Sequence, residues 1–262
     1  MIHYHGTPMG GKRTEASGFL AGRHALVPYP RPEDLGAALE VCKTIVLDNG
    51  AFTVWQQGGR LDVDGYTAWV ESVWQHPTFA WALIPDVIDG NETDNDAMLA
   101  DWPMRIPGVP VYHLHESLDR AELLAETWPI VALGSSGQWN RPGSESWWRR
   151  IEQVMGVMCD AEGRPKCKLH GLRMLDPAIF HRLPLASADS TNAAQNGVPT
   201  RFGMYPPPTS GQRSAVIANR IESHNSAAIW QPLAKQRTLC DLPLWNTPEP
   251  LPSIVDGSQN AT

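Results

Sequence analysis

The sequence predicts a single-domain (β/α)₈ TIM barrel. Short apolar, β-branched runs alternate with helix-patterned segments about eight times, which predicts parallel strands with helical crossovers. The chain has 262 residues, and one such barrel typically needs ~250. Most of the strand runs end in a carboxylate or a histidine, at the end where barrels place their chemistry.

The elements follow in order. Residues 2–5, Ile-His-Tyr-His, form a first strand before Gly6-Thr7-Pro8. A polar loop covers 10–14, and a short helix is expected up to Leu20. Residues 24–29 form the second strand. Pro30 and Pro32 open a helix over 33–41, whose first-turn acids suit the positive end of the helix dipole. The third strand, 44–47, is a β-branched run that ends at Asp48 and turns at Gly50. Residues 55–64 read as loop, and 65–76 carry apolar residues at helical spacing. A fourth strand over 79–84 ends at Pro85-Asp86, and a helix follows near 94–102.

The fifth strand is 109–115, and Ser117 caps a helix through Trp128. The sixth, 130–133, closes in Gly134-Ser135-Ser136-Gly137, before a helix over 144–158. Residues 167–174 hold the seventh strand and 176–180 a short helix. The eighth strand, 185–188, delivers Asp189. Pro206-Pro207-Pro208 marks an irregular loop, and 214–223 is the closing helix. The barrel is assigned to 1–245, with a loose, polar tail at 246–262.

Composition excludes some classes. Hydrophobic content of 42% and charged content of 19% support a sizeable core. The eleven Trp are expected mainly in that core. A net charge of −7 does not fit a general nucleic-acid coat protein, which is basic. No apolar stretch approaches the ~20 residues needed to span a membrane. The start is neither basic nor apolar, so no secretory leader is expected. Cys42, Cys159, Cys167 and Cys240 show no pairing pattern, and free thiols in a reducing cytoplasm are the expectation.

The strand ends supply His3 and His5, Asp48, Asp86, His113 and His115, Gly134, His170 and Asp189. A lone Asp after a strand is commonly a turn or cap residue. A series of them at one mouth is suited to chemistry at an anomeric carbon. One carboxylate attacks the sugar, a second moves the proton, and repulsion separates their pKa values. A third can accept from the donor edge of a guanine-like base. Arg141, Arg149, Arg150 and Lys168, with Arg164 and Lys166, are candidates for a basic rim toward nucleic acid.

These residues resemble a family. Asp48-Asn-Gly-Ala-Phe52 resembles the Asp-Ser-Gly-Gly-Phe-Gln turn of tRNA-guanine transglycosylases. Gly134-Ser-Ser-Gly137 resembles their base-binding loop, and Ala188-Asp189-Ser-Thr-Asn192 their nucleophile strand end. Taken with His3-Tyr-His-Gly-Thr-Pro8, Ile84-Pro-Asp-Val-Ile-Asp-Gly90 and His113-Leu-His-Glu116, the ordered set is similar to the short phage-type 7-deazaguanine DNA transglycosylases over roughly 1–230.

That resemblance implies exchange of guanine in duplex DNA for a 7-deazaguanine base such as preQ0, in a host cytoplasm if phage-encoded. It implies Asp189 as nucleophile on C1′, Asp48 as acid/base and Asp86 on the base edge. Gly134, Ser135, His170, His115 and Phe52 would complete the pocket, with His3, His5 and His113 in support. No cofactor is implied. The tRNA enzymes carry a zinc site of three cysteines and a histidine; that spacing is absent here, and no structural zinc or other metal is expected. Two alternatives stay open. One is a tRNA-guanine transglycosylase. The other is a metal-dependent amidohydrolase using His3, His5, His115, His170 and Asp189 as ligands.

Overall fold

The computed structural model describes residues 1–7 and 18–232. The loop expected at 10–14, the start of the helix before Leu20, Cys240 and the tail at 246–262 lie outside them. The described chain to Gln231 forms one compact unit.

Nine parallel strands make one sheet: β1 (Ile2–Gly6), β2 (His24–Pro28), β3 (Thr44–Asp48), β4 (Phe79–Leu83), β5 (Gly108–Val109), β6 (Val111–His113), β7 (Ile130–Gly134), β8 (Lys168–Gly171) and β9 (Ser187–Ser190). Their order is β5-β4-β3-β2-β1-β9-β8-β7-β6. The two ends of that series, β5 and β6, are consecutive in the chain. Pro110 separates them, because it has no N–H to give to a ladder. Leu83 pairs with Val109 on one side and Val111 with Ala132 on the other. The amide of Ala132 donates to the Pro110 carbonyl at 2.9 Å. The expected fifth strand is therefore one stave broken at a proline, and eight staves close the barrel.

The helices are α1 (Leu35–Val41), α2 (Ala51–Gln56), α3 (Val63–Glu71), α4 (Glu92–Asp101), α5 (Leu118–Thr127), α6 (Glu145–Met158), α7 (Pro177–Phe180), α8 (Asn192–Gln195) and α9 (Ser210–Glu222). Several begin at the caps their sequences offer. The side chain of Asp62 accepts from Gly65, Ser117 from Arg120 and Ser144 from Trp147. Asn91 with Asp94 and Thr209 with Gln212 form full capping boxes. The helix expected at 33–41 opens instead as a 3₁₀ turn, Pro32–Asp34, before α1. The closing helix starts four residues earlier than expected, at Ser210.

Strand alternation sorts the core into two layers. Tyr4, Leu26, Val46, Trp81, Leu83 and Val111 fill the barrel interior. Their neighbours Ala25, Val27, Ile45, Leu47, Ala82 and Ile84 face outward under the helices. The same parity decides the first strand: Tyr4 points in, so His3 and His5 point out.

The turn after β3 is tightly specified. Gly50 adopts φ +75°, and a Cβ there would lie 2.3 Å from Pro30 Cδ. Left-handed backbone and a rigid ring leave room only for glycine. Gly50→Ala is expected to cost at least about 2 kcal/mol, measured as a lower urea midpoint at unchanged m-value.

Candidate active site

Asp48, Asp86 and Asp189 line one cavity of about 390 Å³ at the carboxyl ends of the strands. They reach it from β3, the turn after β4, and β9. A short segment sets the first of them. The Gly50 amide donates to Asp48 Oδ1 at 3.1 Å and the Ala51 amide to Asn49 Oδ1 at 2.8 Å, which starts α2 directly after the strand. The loop expected from Trp55 onward is thus partly helix, and Phe52, on α2, lines the cavity.

Asp86 is buried and held on both oxygens. Asn49 Nδ2 donates to its Oδ1 at 2.7 Å, and His113 Nε2 donates to its Oδ2 at 2.9 Å. Burial opposes the His113 imidazolium. The hydrogen bond and charge of Asp86, with Glu116 behind, outweigh it and raise the pKa. Each carboxylate oxygen of Asp86 keeps a further lone pair for a ligand in the cavity.

Asp189 is also buried, and the Arg173 amide donates to its Oδ1 at 3.0 Å. Arg173 has φ +59°, in the left-handed region that L residues seldom enter. This bend brings its guanidinium back over the mouth. There it lies 3.9 Å from the Phe52 ring centroid and donates to the Ser135 carbonyl at 3.3 Å. It faces the charges of both Asp189 and Asp48.

The three carboxylates are not equivalent. Desolvation raises the pKa of Asp48 most, and the charges of Asp189 and Asp86 add to it. The Gly50 amide and Arg173 oppose, and the result is about 7. This has a consequence for stability. The unfolded chain ionises near the ordinary value of 3.8, and the folded protein only near 7. The folded form therefore holds an extra proton between those values, and stability falls as pH rises through that window. Asp48→Asn is expected to remove that loss. Its Tm relative to the wild type should climb from pH 4 to pH 7 and then level off, as calorimetry across pH would read.

Other residues singled out in the sequence fall in several places. Gly134 and Ser135 line the cavity. A Cβ on Gly134 would come 3.1 Å from His113 Nδ1, so its bareness makes room for that ring. Ser135 Oγ accepts from Trp147 Nε1 at 2.9 Å, which leaves mainly its backbone to the cavity. His170 does not line the cavity. It is fully buried beneath it, edge-on to Trp81, bonded through Nδ1 to Ser187 Oγ, with Nε2 3.4 Å from Asp189 Oδ1. His115 also lies behind the wall, bonded to Ser136 Oγ and the Gly90 carbonyl and stacked on His113.

His3 and His5 are turned away. His3 donates to the His224 carbonyl at 3.0 Å, and His5 to Glu222 at 2.9 Å under α9. The ligand set of the amidohydrolase alternative therefore does not converge. Among the described residues no group of three His, Cys, Asp or Glu side chains is placed to hold a metal ion.

The basic rim is not assembled. Lys168 opens β8 at the amino end of the barrel, opposite the mouth. Arg150 turns inward and donates to the Leu114 carbonyl at 2.8 Å and to Tyr112 Oη at 3.2 Å. Arg149 pairs with Glu145 one turn back on α6, Lys166 with Glu122 and Glu126, and Arg164 with Glu162. Arg141 is exposed in the segment between β7 and α6.

Two residues important to the site were not singled out in the sequence, Asn49 and Arg173. Asn49 was legible as the polar residue between a strand-end acid and a turn glycine. Arg173 falls inside the segment expected to hold the seventh strand, and nothing in the sequence marks it.

No helix among the described residues is long and apolar enough to cross a membrane. No protein-family model matches the chain, and no curated protein matches it. Among solved structures, it is similar to a mutant tryptophan synthase alpha-subunit from the hyperthermophile Pyrococcus furiosus. The two share 11% identity over 83% of this chain and 97% of that one, with a TM-score of 0.46. A second mutant structure of that subunit gives 11% identity over 85% and 98%, with a TM-score of 0.48. The barrel assignment stands on the strand order itself.

Proposed function

We propose that this chain is a base-exchange enzyme, a pentosyltransferase that replaces guanine in DNA with a 7-deazaguanine base such as preQ0. The observation that carries the reading is the convergence of Asp48, Asp86 and Asp189 on one cavity with Asp48 held near half-protonation at neutral pH. The motif resemblance set out above supplies the substrate.

Asp189 attacks C1′ of the target nucleotide. The C1′–N9 bond breaks as the Asp189–C1′ ester forms, and the departing guanine takes the proton of Asp48. The incoming base then attacks C1′ through its N9. The ester breaks, and Asp48 receives the proton the incoming base loses. Two inversions give net retention. Asp86, oriented by Asn49 and His113, accepts from N1–H and the exocyclic amine of either base. A pKa near 7 lets Asp48 serve as acid in one half and base in the other. Reaching C1′ requires the nucleotide to be extruded from the duplex.

Incubation with duplex DNA and labelled preQ0, followed by nucleoside mass spectrometry, tests the reading. Incorporation into DNA supports it. Incorporation into tRNA alone would move the assignment to the tRNA enzymes, and incorporation into neither would overturn it.

A further inference from the structure

A double displacement poses a traffic problem. Between its halves the polynucleotide is bonded to Asp189 at the mouth, yet one free base must leave and another arrive. A second cavity, of about 690 Å³, adjoins the first. Both are bounded by Ala51, Asp86 and Ile88, so this thin wall, which includes the base-edge carboxylate, is all they share. Phe52 and Trp55, three residues apart on α2, continue the link. Phe52 lines the first cavity and Trp55 the second, and their ring centroids are 6.0 Å apart. Trp55 is 44% exposed, so part of its ring face is open to a stacking ligand.

Both openings are acidic, the second the more so. The first holds Arg173 between its carboxylates. The lining of the second has Asp62, Asp64, Asp89 and Asp94 at its rim against Arg60. Such a rim repels a phosphate backbone and is indifferent to a neutral heteroaromatic ring. Val54, Val63, Val87 and Met98 give it apolar walls. α2, which carries Ala51, Phe52 and Trp55 along this wall, is only six residues long.

We propose that the second cavity is the passage for free bases. Neutral, purine-sized rings stack on Trp55 and cross the Ala51–Ile88 wall to Asp86 while nucleic acid covers the mouth. This rests on the base-exchange reading above.

Ala97→Trp plugs the outer end of the passage from the exposed face of α4, away from the reacting groups, and Ala97→Ser is its control. With saturating duplex DNA, the tryptophan variant is expected to incorporate labelled guanine and labelled preQ0 roughly tenfold more slowly, as when release of a ligand limits turnover. Its Tm, its DNA affinity and its equilibrium affinity for preQ0 without DNA should match the serine control. Stopped-flow binding of preQ0 to wild-type protein should keep its association rate when a duplex with an abasic site in place of the target guanine is already bound, which covers the mouth but leaves the base pocket empty. Unchanged incorporation by Ala97→Trp, or preQ0 binding blocked by that duplex in the wild type, would overturn the passage and leave base exchange standing. A wild-type protein that incorporates neither base would defeat both.

Discussion

Asp189→Asn should lower labelled-base incorporation into DNA by at least about 10⁴-fold, the scale seen when a covalent nucleophile is removed. The substitution is nearly isosteric. The asparagine carbonyl can still accept from the Arg173 amide that now bonds Asp189 Oδ1 at 3.0 Å. The fold should therefore survive, with near-ultraviolet circular dichroism unchanged. A second readout separates the nucleophile from a structural role. Wild-type protein quenched in denaturant during turnover should carry DNA covalently, seen as a retarded band on a denaturing gel. Asp189→Asn should show none. A variant retaining that band would assign the nucleophile elsewhere, and Asp48 would be the next carboxylate to examine.

For Asp48→Asn the expected loss is roughly 10²–10⁴-fold, the usual range for a general acid/base. The shape of the pH profile matters more than the size. In the proposed exchange Asp48 is protonated when guanine leaves and ionised when the incoming base gives up its proton. With a pKa of about 7, wild-type turnover should peak near neutrality. It should fall on the acid side as the second half loses its base, and on the alkaline side as the first half loses its acid. The residual rate of Asp48→Asn should lose both limbs. The same variant is expected to be more thermostable than the wild type at pH 8. Lower activity with higher stability is the signature of a carboxylate kept in an unfavourable place for its chemistry.

Much of this protein is readable from its residues, and the exceptions have physical causes. The strand runs of β3, β7 and β9 are short and β-branched or small, bounded by turn signals, and each falls within a few residues of its expected place. Asp48 and Asp189 follow from them. His3 and His5 end a strand run, which in the sequence places them at the mouth. The two-residue period, with Tyr4 inside, turns both outward. The helix α2 carries no clear sequence signal, because six residues holding Thr53, Val54 and Trp55 have weak helix propensity. The Asx turn at Asn49 and packing begin it, and both depend on β4 being alongside. Arg173 owes its place to Phe52, 121 positions earlier, and to a left-handed backbone. Neither is a local signal. The basic residues 149, 150, 166 and 168 read as a patch on charge alone. Partners on α5, α6 and the β6 end engage the first three, and Lys168 lies at the amino end of the barrel, away from the mouth.

The broken stave at Pro110 has a consequence for how the protein comes into being. A cut there would leave Asp48, Asp86 and the turn of Gly50 on one fragment, and His170, Arg173 and Asp189 on the other. Strand order adds a temporal side. Among the described residues β9 is the last strand to be synthesised, yet it sits between β1, the first, and β8. A nascent chain on the ribosome thus exposes a gap beside β1 until Asp189 itself arrives to fill it. Closure of the barrel and arrival of Asp189 at the shared cavity are one event.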